Sequence, residues 1–394
     1  MIKLFSLFSG IGAFEKALSN MDKPFYLAGY CENNIHAAKS YSIIHNISET
    51  RNFGDITQID PHKLPKDISL ITYGFPCQDL SLAGRQKGLL ICEKCGKAHK
   101  VPHEYAEKRG KEDFFCDCGG KIILTRSGLF FKALDIIKTV QPEVAICENV
   151  KALAGKLFQE EFRLILDELE QAGYKNYYKI LNAKDFNMPQ NRERIFIISI
   201  RADKDKGFIF PETVPLSVSP ADLLDEVVED KYYIKNPDKF YYTSKSTEPG
   251  KIIIDDTLGF DGPRFYENFI PALRASRSGL KCADKAYLIA ASRGRYIADG
   301  GTAQHLEVRK DGLLNTITTV HKDNYIINNQ GIRRLTPAEY FRFMGFTDKD
   351  VNRLIDAGVS DAQLYKQAGN SIVVNVAEAI FTSLFEQYPE FDKD

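Results

Sequence analysis

Up to about residue 200 the chain alternates short apolar runs with helix-periodic stretches, and this constrains the fold more than any other feature. Runs at 2–8, 26–30, 70–73, 144–147, 177–181 and 194–200 read as strands; 13–20, 35–45, 129–140 and 159–172 read as helices. Strands alternating with helices predict an α/β fold with a doubly wound, mostly parallel sheet. Residues 90–121, rich in Cys, Lys and Gly, break the rhythm and read as an insertion. Over 202–332 the alternation becomes irregular, with scattered Pro and Gly and interleaved Tyr and basic residues, as a second domain of short strands and long loops would show. Helical patterning returns in 333–394, at 336–344 and 371–387. A chain of 394 residues also exceeds what one compact core usually holds.

No apolar run approaches the roughly 20 residues of a membrane span, so no membrane partner is expected. The apolar start is too short for a secretory signal and reads as the first strand. Without such a signal, the eight Cys predict a reducing cytoplasm rather than a disulfide framework. A net charge of −1 advertises no polyanion partner, but it leaves open a basic face on one side.

The segment Phe5-Ser6-Leu7-Phe8-Ser9-Gly10-Ile11-Gly12 is a strand running into a Gly-rich turn. In a doubly wound sheet such turns lie where ligands bind, although a plain tight turn has the same look. The dinucleotide fingerprint needs a third Gly, and Glu15 stands in its place. The turn therefore suits a nucleoside better than a pyrophosphate. Glu32, closing the second strand, is placed to bind ribose hydroxyls. Asp55, expected after a third strand, is placed to accept from an adenine amino group.

Gly74-Phe75-Pro76-Cys77-Gln78 also follows a strand, where a nucleophile would be presented. Glu148-Asn149-Val150 ends another, and Gln190-Asn191-Arg192-Glu193-Arg194 precedes a third. A Cys, a Glu and an Arg converging on one sheet edge suit attack on an aromatic heterocycle. Unconnected, they would be a packing Cys, a capping Glu and surface Arg residues.

Together with Gly54-Asp55-Ile56-Thr57, Thr125-Arg126-Ser127-Gly128, Arg333 to Tyr340 and Gln367-Ala368-Gly369-Asn370-Ser371-Ile372, these motifs resemble the bacterial DNA (cytosine-5) methyltransferase family in content and order. The resemblance spans nearly the whole chain. It implies the Rossmann-like fold of S-adenosylmethionine-dependent methyltransferases with a smaller target-recognition domain. Phe8, Gly10, Ile11, Gly12, Glu32, Asp55, Ile56, Asn370 and Ser371 would border S-adenosylmethionine. Cys77 would attack carbon 6 of a flipped-out cytosine, with Pro76 shaping the base pocket, Glu148 and Arg194 holding the ring, and Arg192 assisting. Gln78, Ser81, Arg85 and Thr316 would touch DNA. The resemblance further implies double-stranded DNA as substrate, a monomer, a cytoplasmic location, and a restriction-modification or orphan bacterial or phage role, the former with a cognate restriction endonuclease.

The insertion departs from the family pattern. It carries Cys92-x-x-Cys95 and Cys116-x-Cys118, each pair beside Gly, as in zinc knuckles. Two close thiolate pairs suit a structural tetrahedral zinc; the alternative is four reduced, unliganded Cys. The Lys and Arg around the knuckle are phosphate contacts or a solvated surface. In the second domain Arg274, Arg277, Arg293 and Arg295 are candidate phosphate or guanine contacts. Three competing readings remain: an RNA cytosine methyltransferase of similar fold, a silent nucleic-acid binder, and a nicotinamide enzyme. The long second domain counts against the first, intact Cys77, Glu148 and Arg194 against the second, and Glu15 against the third.

Overall fold

The computed structural model describes the chain except residues 78, 81–87, 101–107, 109–111, 236–240, 243–250, 255–263, 268–286, 297–301, 310, 320–322, 329–330 and 393–394. For 241–242, 251–254, 264–267, 293–296, 302–304 and 392 it describes the backbone alone. Gln78, Ser81, Arg85, Arg274 and Arg277 therefore lie outside the described residues, as do the side chains of Arg293 and Arg295. Two compact units emerge. The first comprises residues 1–182, 193–213 and 371–394, and the second residues 183–192 and 214–370.

The first unit is built on a six-stranded sheet. Its strands are β1 (Ile2–Leu7), β2 (Phe25–Cys31), β3 (Leu70–Tyr73), β7 (Val144–Val150), β8 (Tyr174–Asn182) and β10 (Glu193–Arg201), in the order β2-β1-β3-β7-β10-β8. The four strands from β2 to β7 run parallel, and β10 runs antiparallel to both of its neighbours. The sheet is thus mixed. Central strands covered on both faces need continuous apolar sequence, and all four residues of β3 are buried. At the edge, β8 exposes most of its middle. Helices α1 (Ala13–Asn20), α2 (Ile35–His45), α3 (Phe130–Val140) and α4 (Gln159–Gln171) follow β1, β2, the insertion and β7. Phe130, Phe131, Ile136 and Ile137 of α3 join Phe5, Ile71 and Ile197 of the sheet in one core.

The register aligns the strand ends. Leu7 pairs with Cys31 and Tyr73, and Tyr73 with Cys147. Residues just beyond these positions (Phe8, Glu32, Gly74 and Glu148) therefore emerge at one edge. Because β10 is reversed, its first residues reach that same edge, and Arg194 pairs with Val150. No third strand lies between β2 and Asp55, contrary to the expectation from sequence. The chain there makes an isolated bridge, Tyr30 to Asn52, and a 3-10 turn at Ile56–Gln58, because Asp55 caps that turn through its own side chain.

The insertion folds as a small antiparallel sheet of β4 (Leu90–Cys92), β5 (Ala98–His99) and β6 (Ile122–Leu124), in the order β5-β4-β6. The second unit contains a two-stranded pair, β9 (Gln190–Asn191) with β16 (Leu314–Asn315), and a seven-stranded sheet. That sheet comprises β11 (Tyr241–Tyr242), β12 (Lys251–Ile254), β13 (Arg264–Glu267), β14 (Leu288–Tyr296), β15 (Thr302–Val308), β17 (Tyr325–Asn328) and β18 (Gly331–Arg334). Its core holds Leu288, Ala290, Leu306, Tyr325, Ile327 and Ile332. Helices α5 (Pro337–Arg342), α6 (Asp348–Asp356) and α7 (Asp361–Asn370) belong to the same unit. The last helix, α8 (Val374–Gln387), belongs to the first unit and packs on α1, with Phe14 and Phe381 rings 6.0 Å apart.

One stretch among the described residues, Asp361–Gln387, is long and apolar enough to cross a membrane by length and composition alone. It runs as two helices separated at residues 371–373, and 61% of its apolar window is buried inside the protein. Its apolar character is spent on the core.

Candidate active site

The turn after β1 departs from ordinary backbone: Phe8, Gly10 and Gly12 all have positive φ. At Gly12 (φ +77) a Cβ would stand 2.2 Å from His45 Nε2, so only Gly fits. His45 uses that nitrogen to hold the Ile11 carbonyl at 3.0 Å. At Gly10 the corresponding space is open. Glu32 ties this turn to β2: its carboxylate accepts from Gly10 N at 3.0 Å and from Asn34 N at 2.7 Å. Asn52 extends the tie, accepting from Glu32 N and Gly54 N and donating to the Glu32 carbonyl. Asp55 accepts from Thr57 N at 2.8 Å, and Ile56 beside it is buried.

Sequence reasoning used Glu15 only to argue against a pyrophosphate. In the fold it is 1% exposed and accepts from Tyr41 Oη at 2.9 Å, locking α1 to α2 beneath the turn. The helical spacing that puts it on the inward face of α1 was the signal that could have found it.

Cys77 is half-buried in a turn beyond β3, where Leu80 N donates to its carbonyl at 3.0 Å. Ser127 brackets this turn: its Oγ donates to the Pro76 carbonyl at 2.6 Å and accepts from Asp79 N at 3.3 Å. Thr125 performs a similar task further along, donating to the Gly88 carbonyl at 2.8 Å. Neither residue was assigned a role from sequence. Asn149, buried, donates to the Phe75 carbonyl at 3.1 Å and so ties β7 to the start of the Cys77 turn.

Glu148 and Arg194 meet at that edge, Oε1 to Nε at 3.1 Å, with 14% and 18% of their side chains exposed. A Cβ on Gly74 would lie 3.6 Å from Glu148 Oε2, which sets the carboxylate beside the turn bearing Cys77. A thiol, a carboxylate and a guanidinium thus share one edge of one sheet. Burial keeps the Cys31 and Cys147 thiols neutral: desolvation, then the Glu32 charge, pushes Cys31 up to about 12, and desolvation raises Cys147 as well.

Arg192 has a different setting. It is buried in the second unit and donates to the carbonyls of Ile317 and Gly369. Thr316 Oγ1 donates to the Asn191 carbonyl at 2.8 Å, and Gln190 accepts from Ile317 N at 2.8 Å. Gly369 packs so closely on Thr318 that a Cβ would lie 2.3 Å from its carbonyl carbon. The next residue, Asn370, is exposed in the second unit, whereas Ser371 is buried and belongs to the first.

The thiols of Cys92, Cys95, Cys116 and Cys118 lie within 4.8 Å of one another. Cys92 and Cys118 sulfurs are 3.5 Å apart, Cys95 and Cys116 sulfurs 3.8 Å. Tetrahedral zinc with Zn–S near 2.3 Å needs sulfurs roughly 3.8 Å apart, so the donor set fits. Backbone N–H groups, first that of Cys95, draw the Cys92 thiol down to about 7. Among the described cations nearby, Lys97 pairs with Asp117, Lys100 with Glu160 and Lys121 with Asp113.

The profile of the C-5 cytosine-specific DNA methylase family matches residues 2–91 and 120–386, passing over the stretch that carries the four Cys. An orphan methyltransferase of Bacillus phage SPbeta, M.SPBetaI, is 32% identical, with 98% of each chain covered. The type II methyltransferase M2.ScrFI of Lactococcus lactis subsp. cremoris is 36% identical over 85% of this chain and 71% of its own. Among solved structures, the Schizosaccharomyces pombe (S. pombe) Dnmt2 methyltransferase shares the fold at a TM-score of 0.54 and 18% identity, covering 98% of this chain and 99% of its own.

Proposed function

The chain belongs to the C-5 cytosine-specific DNA methylase family, and from that premise we propose that Cys77 is the nucleophile that adds to a flipped-out cytosine. The protein is a DNA cytosine-5 methyltransferase, related to type II and orphan enzymes of bacteria and phage. The observation that carries the assignment is the Glu148–Arg194 pair, 3.1 Å apart at the sheet edge from which the Cys77 turn emerges.

Cytosine carbon 5 is a poor nucleophile. Addition of the Cys77 thiolate to carbon 6 forms a C–S bond and pushes the ring electrons toward carbon 5. Glu148 supports this by sharing a proton at ring nitrogen 3 and accepting from the exocyclic amine. Arg194 holds Glu148 in place and donates toward the carbonyl oxygen of the base. S-adenosylmethionine, when bound, supplies a methyl group on a sulfonium. Once carbon 5 carries that methyl, transfer of its proton to water breaks the C–S bond, returns the thiolate and restores aromaticity. Covalent catalysis thus divides one hard step into easier ones. Extruding the base first costs on the order of a few kcal/mol.

The residues around the first turn fit the donor. Open space at Gly10 admits a ligand against the backbone. The Glu32 carboxylate, held by Gly10 N and Asn34 N, is fixed at the turn where a ribose hydroxyl would bind. Phe8, Ile11, Gly12, Asp55, Ile56 and Ser371 complete the proposed pocket. Cys92, Cys95, Cys116 and Cys118 hold a structural zinc ion. The second unit serves target recognition on double-stranded DNA, with Thr316 and Arg192 ordering its strand pair. Pro76 shapes the base pocket, and Gln78, Ser81 and Arg85 follow Cys77 toward the DNA. The enzyme acts in the cytoplasm as a monomer, either orphan or beside a restriction endonuclease.

Cytosine fluorinated at carbon 5 tests the chemistry, because the final proton loss is blocked and the C–S bond persists. A covalent protein–DNA adduct mapping to the peptide of Cys77 is expected in the presence of S-adenosylmethionine. An adduct at another residue would overturn the assignment.

A further inference from the structure

The Cys-rich insertion is wired to the turn that bears Cys77. Strands β4 and β6 pair directly, Leu90 with Leu124 and Cys92 with Ile122. Cys92 is thus the last residue of β4, and Cys116 and Cys118 stand shortly before β6. At the opposite end of the same two strands lie the clamps on the active-site turn. Leaving β6, Thr125 N donates to the Leu89 carbonyl at 3.0 Å and Thr125 Oγ1 to the Gly88 carbonyl at 2.8 Å. Gly88 N in turn donates to the Asp79 carbonyl at 3.1 Å. Two residues after Thr125, Ser127 holds the Pro76 carbonyl and the Asp79 amide, one on each side of Cys77.

The connection is stiff as well as short. Cys92 and Cys116 are buried in the same core as Phe75, Leu89, Leu90 and Phe130. Gly128 lies so close to Leu89 that a Cβ would stand 2.3 Å from its carbonyl oxygen. Three strands of two or three residues each bury too little surface to be stable without help, and a metal held by four thiolates supplies folding energy outright. Gly120 leaves no slack at the site, since a Cβ there would lie 2.7 Å from Cys92 Sγ.

We propose that the metal-loaded knuckle is a positioning element for the reaction: by fixing β4 against β6 it holds Thr125 and Ser127, and through them the Cys77 turn. The proposal rests on the zinc reading given above. Loss of the metal lowers kcat while cofactor binding, organised around β1 and β2, persists.

The test uses the full-length enzyme and four measurements: zinc per protein by elemental analysis, affinity for S-adenosylhomocysteine, kcat on unmethylated DNA, and recovery after zinc is returned. Wild type is expected to carry one zinc. A chelator that strips it lowers kcat at least tenfold, leaves the affinity within about twofold, and zinc restores the rate. Cys118→Ser, at an exposed ligand, gives the metal-free state by mutation. Thr125→Val removes the Oγ1 contact to the Gly88 carbonyl and keeps the zinc, and its kcat falls severalfold. A wild-type protein without stoichiometric metal overturns the zinc reading itself. Stoichiometric zinc whose removal leaves kcat unchanged overturns the coupling alone, as does a fully active Thr125→Val. A parallel fall in cofactor affinity on stripping also overturns it, since the metal would then support the whole unit.

Discussion

Arg194 Nε stands 3.1 Å from Glu148 Oε1, across the antiparallel pair β7 and β10 of a mixed sheet. The reversal of β10 brings about this meeting. Had β10 run with its neighbours, its first residues would lie at the far edge, a strand's length from Glu148. With both side chains mostly buried, the pair is screened far less than a surface ion pair. Replacing Glu148 by Gln removes the shared proton, and kcat should fall by about 10²–10⁴. Arg194→Ala should also lower kcat, because it leaves the carboxylate without its partner. In both, affinity for S-adenosylhomocysteine should stay near wild type; calorimetry beside steady-state kinetics checks this.

Arg192, two residues away, should behave differently. Its guanidinium bridges two backbone carbonyls inside the second unit. Arg192→Ala strands those buried acceptors, at a cost on the order of 3 kcal/mol, and should lower the melting temperature. Arg194→Ala should lower it less, because the Glu148 carboxylate that loses this partner keeps some solvent contact. Thermal scans of the two variants side by side separate the roles.

Gly12→Ala should damage the cofactor end. The φ of +77 and the 2.2 Å approach to His45 leave no room for a methyl group. A loss of about 1–3 kcal/mol is expected, together with weaker binding of S-adenosylhomocysteine. Glu32→Gln weakens the same binding about tenfold or more with little change in melting temperature.

Thiol reactivity should single out Cys77. Burial raises Cys31 from 9.0 to about 12, so in the folded state it stays protonated at pH 8. Since the unfolded chain releases that proton first, this burial disfavours the folded state progressively between pH 9 and 12. Cys147, raised by burial too, is equally inert. Alkylation at pH 8 followed by peptide mapping should modify Cys77 well before Cys31 or Cys147, with activity lost in step. S-adenosylhomocysteine together with DNA should slow it.

Much of the first unit was legible because its strands are buried on both faces and its helices carry periodic apolar residues, as β3 and α3 illustrate. The direction of β10 was not, since a strand's sequence does not encode which way its neighbours run. The motif residues at strand ends were visible as chemistry. Their clamps were not: Ser127 and Thr125 act through hydroxyl contacts to backbone carbonyls distant in sequence. The four Cys were legible from spacing alone, but the link from their sheet to Cys77 depends on the pairing of β4 with β6. Arg192 and Arg194 look equivalent in sequence, yet the chain passes from one unit to the other between Arg192 and Glu193.

The most direct test of Cys77 as the nucleophile is methyl transfer from labelled S-adenosylmethionine to unmethylated bacterial DNA, by wild type and by Cys77→Ser, with 5-methylcytosine mapped by sequencing. Label at cytosines of one short motif, present with wild type and absent with a Cys77→Ser variant that still binds S-adenosylhomocysteine, is the predicted result. Label of equal rate and position from Cys77→Ser would contradict the account.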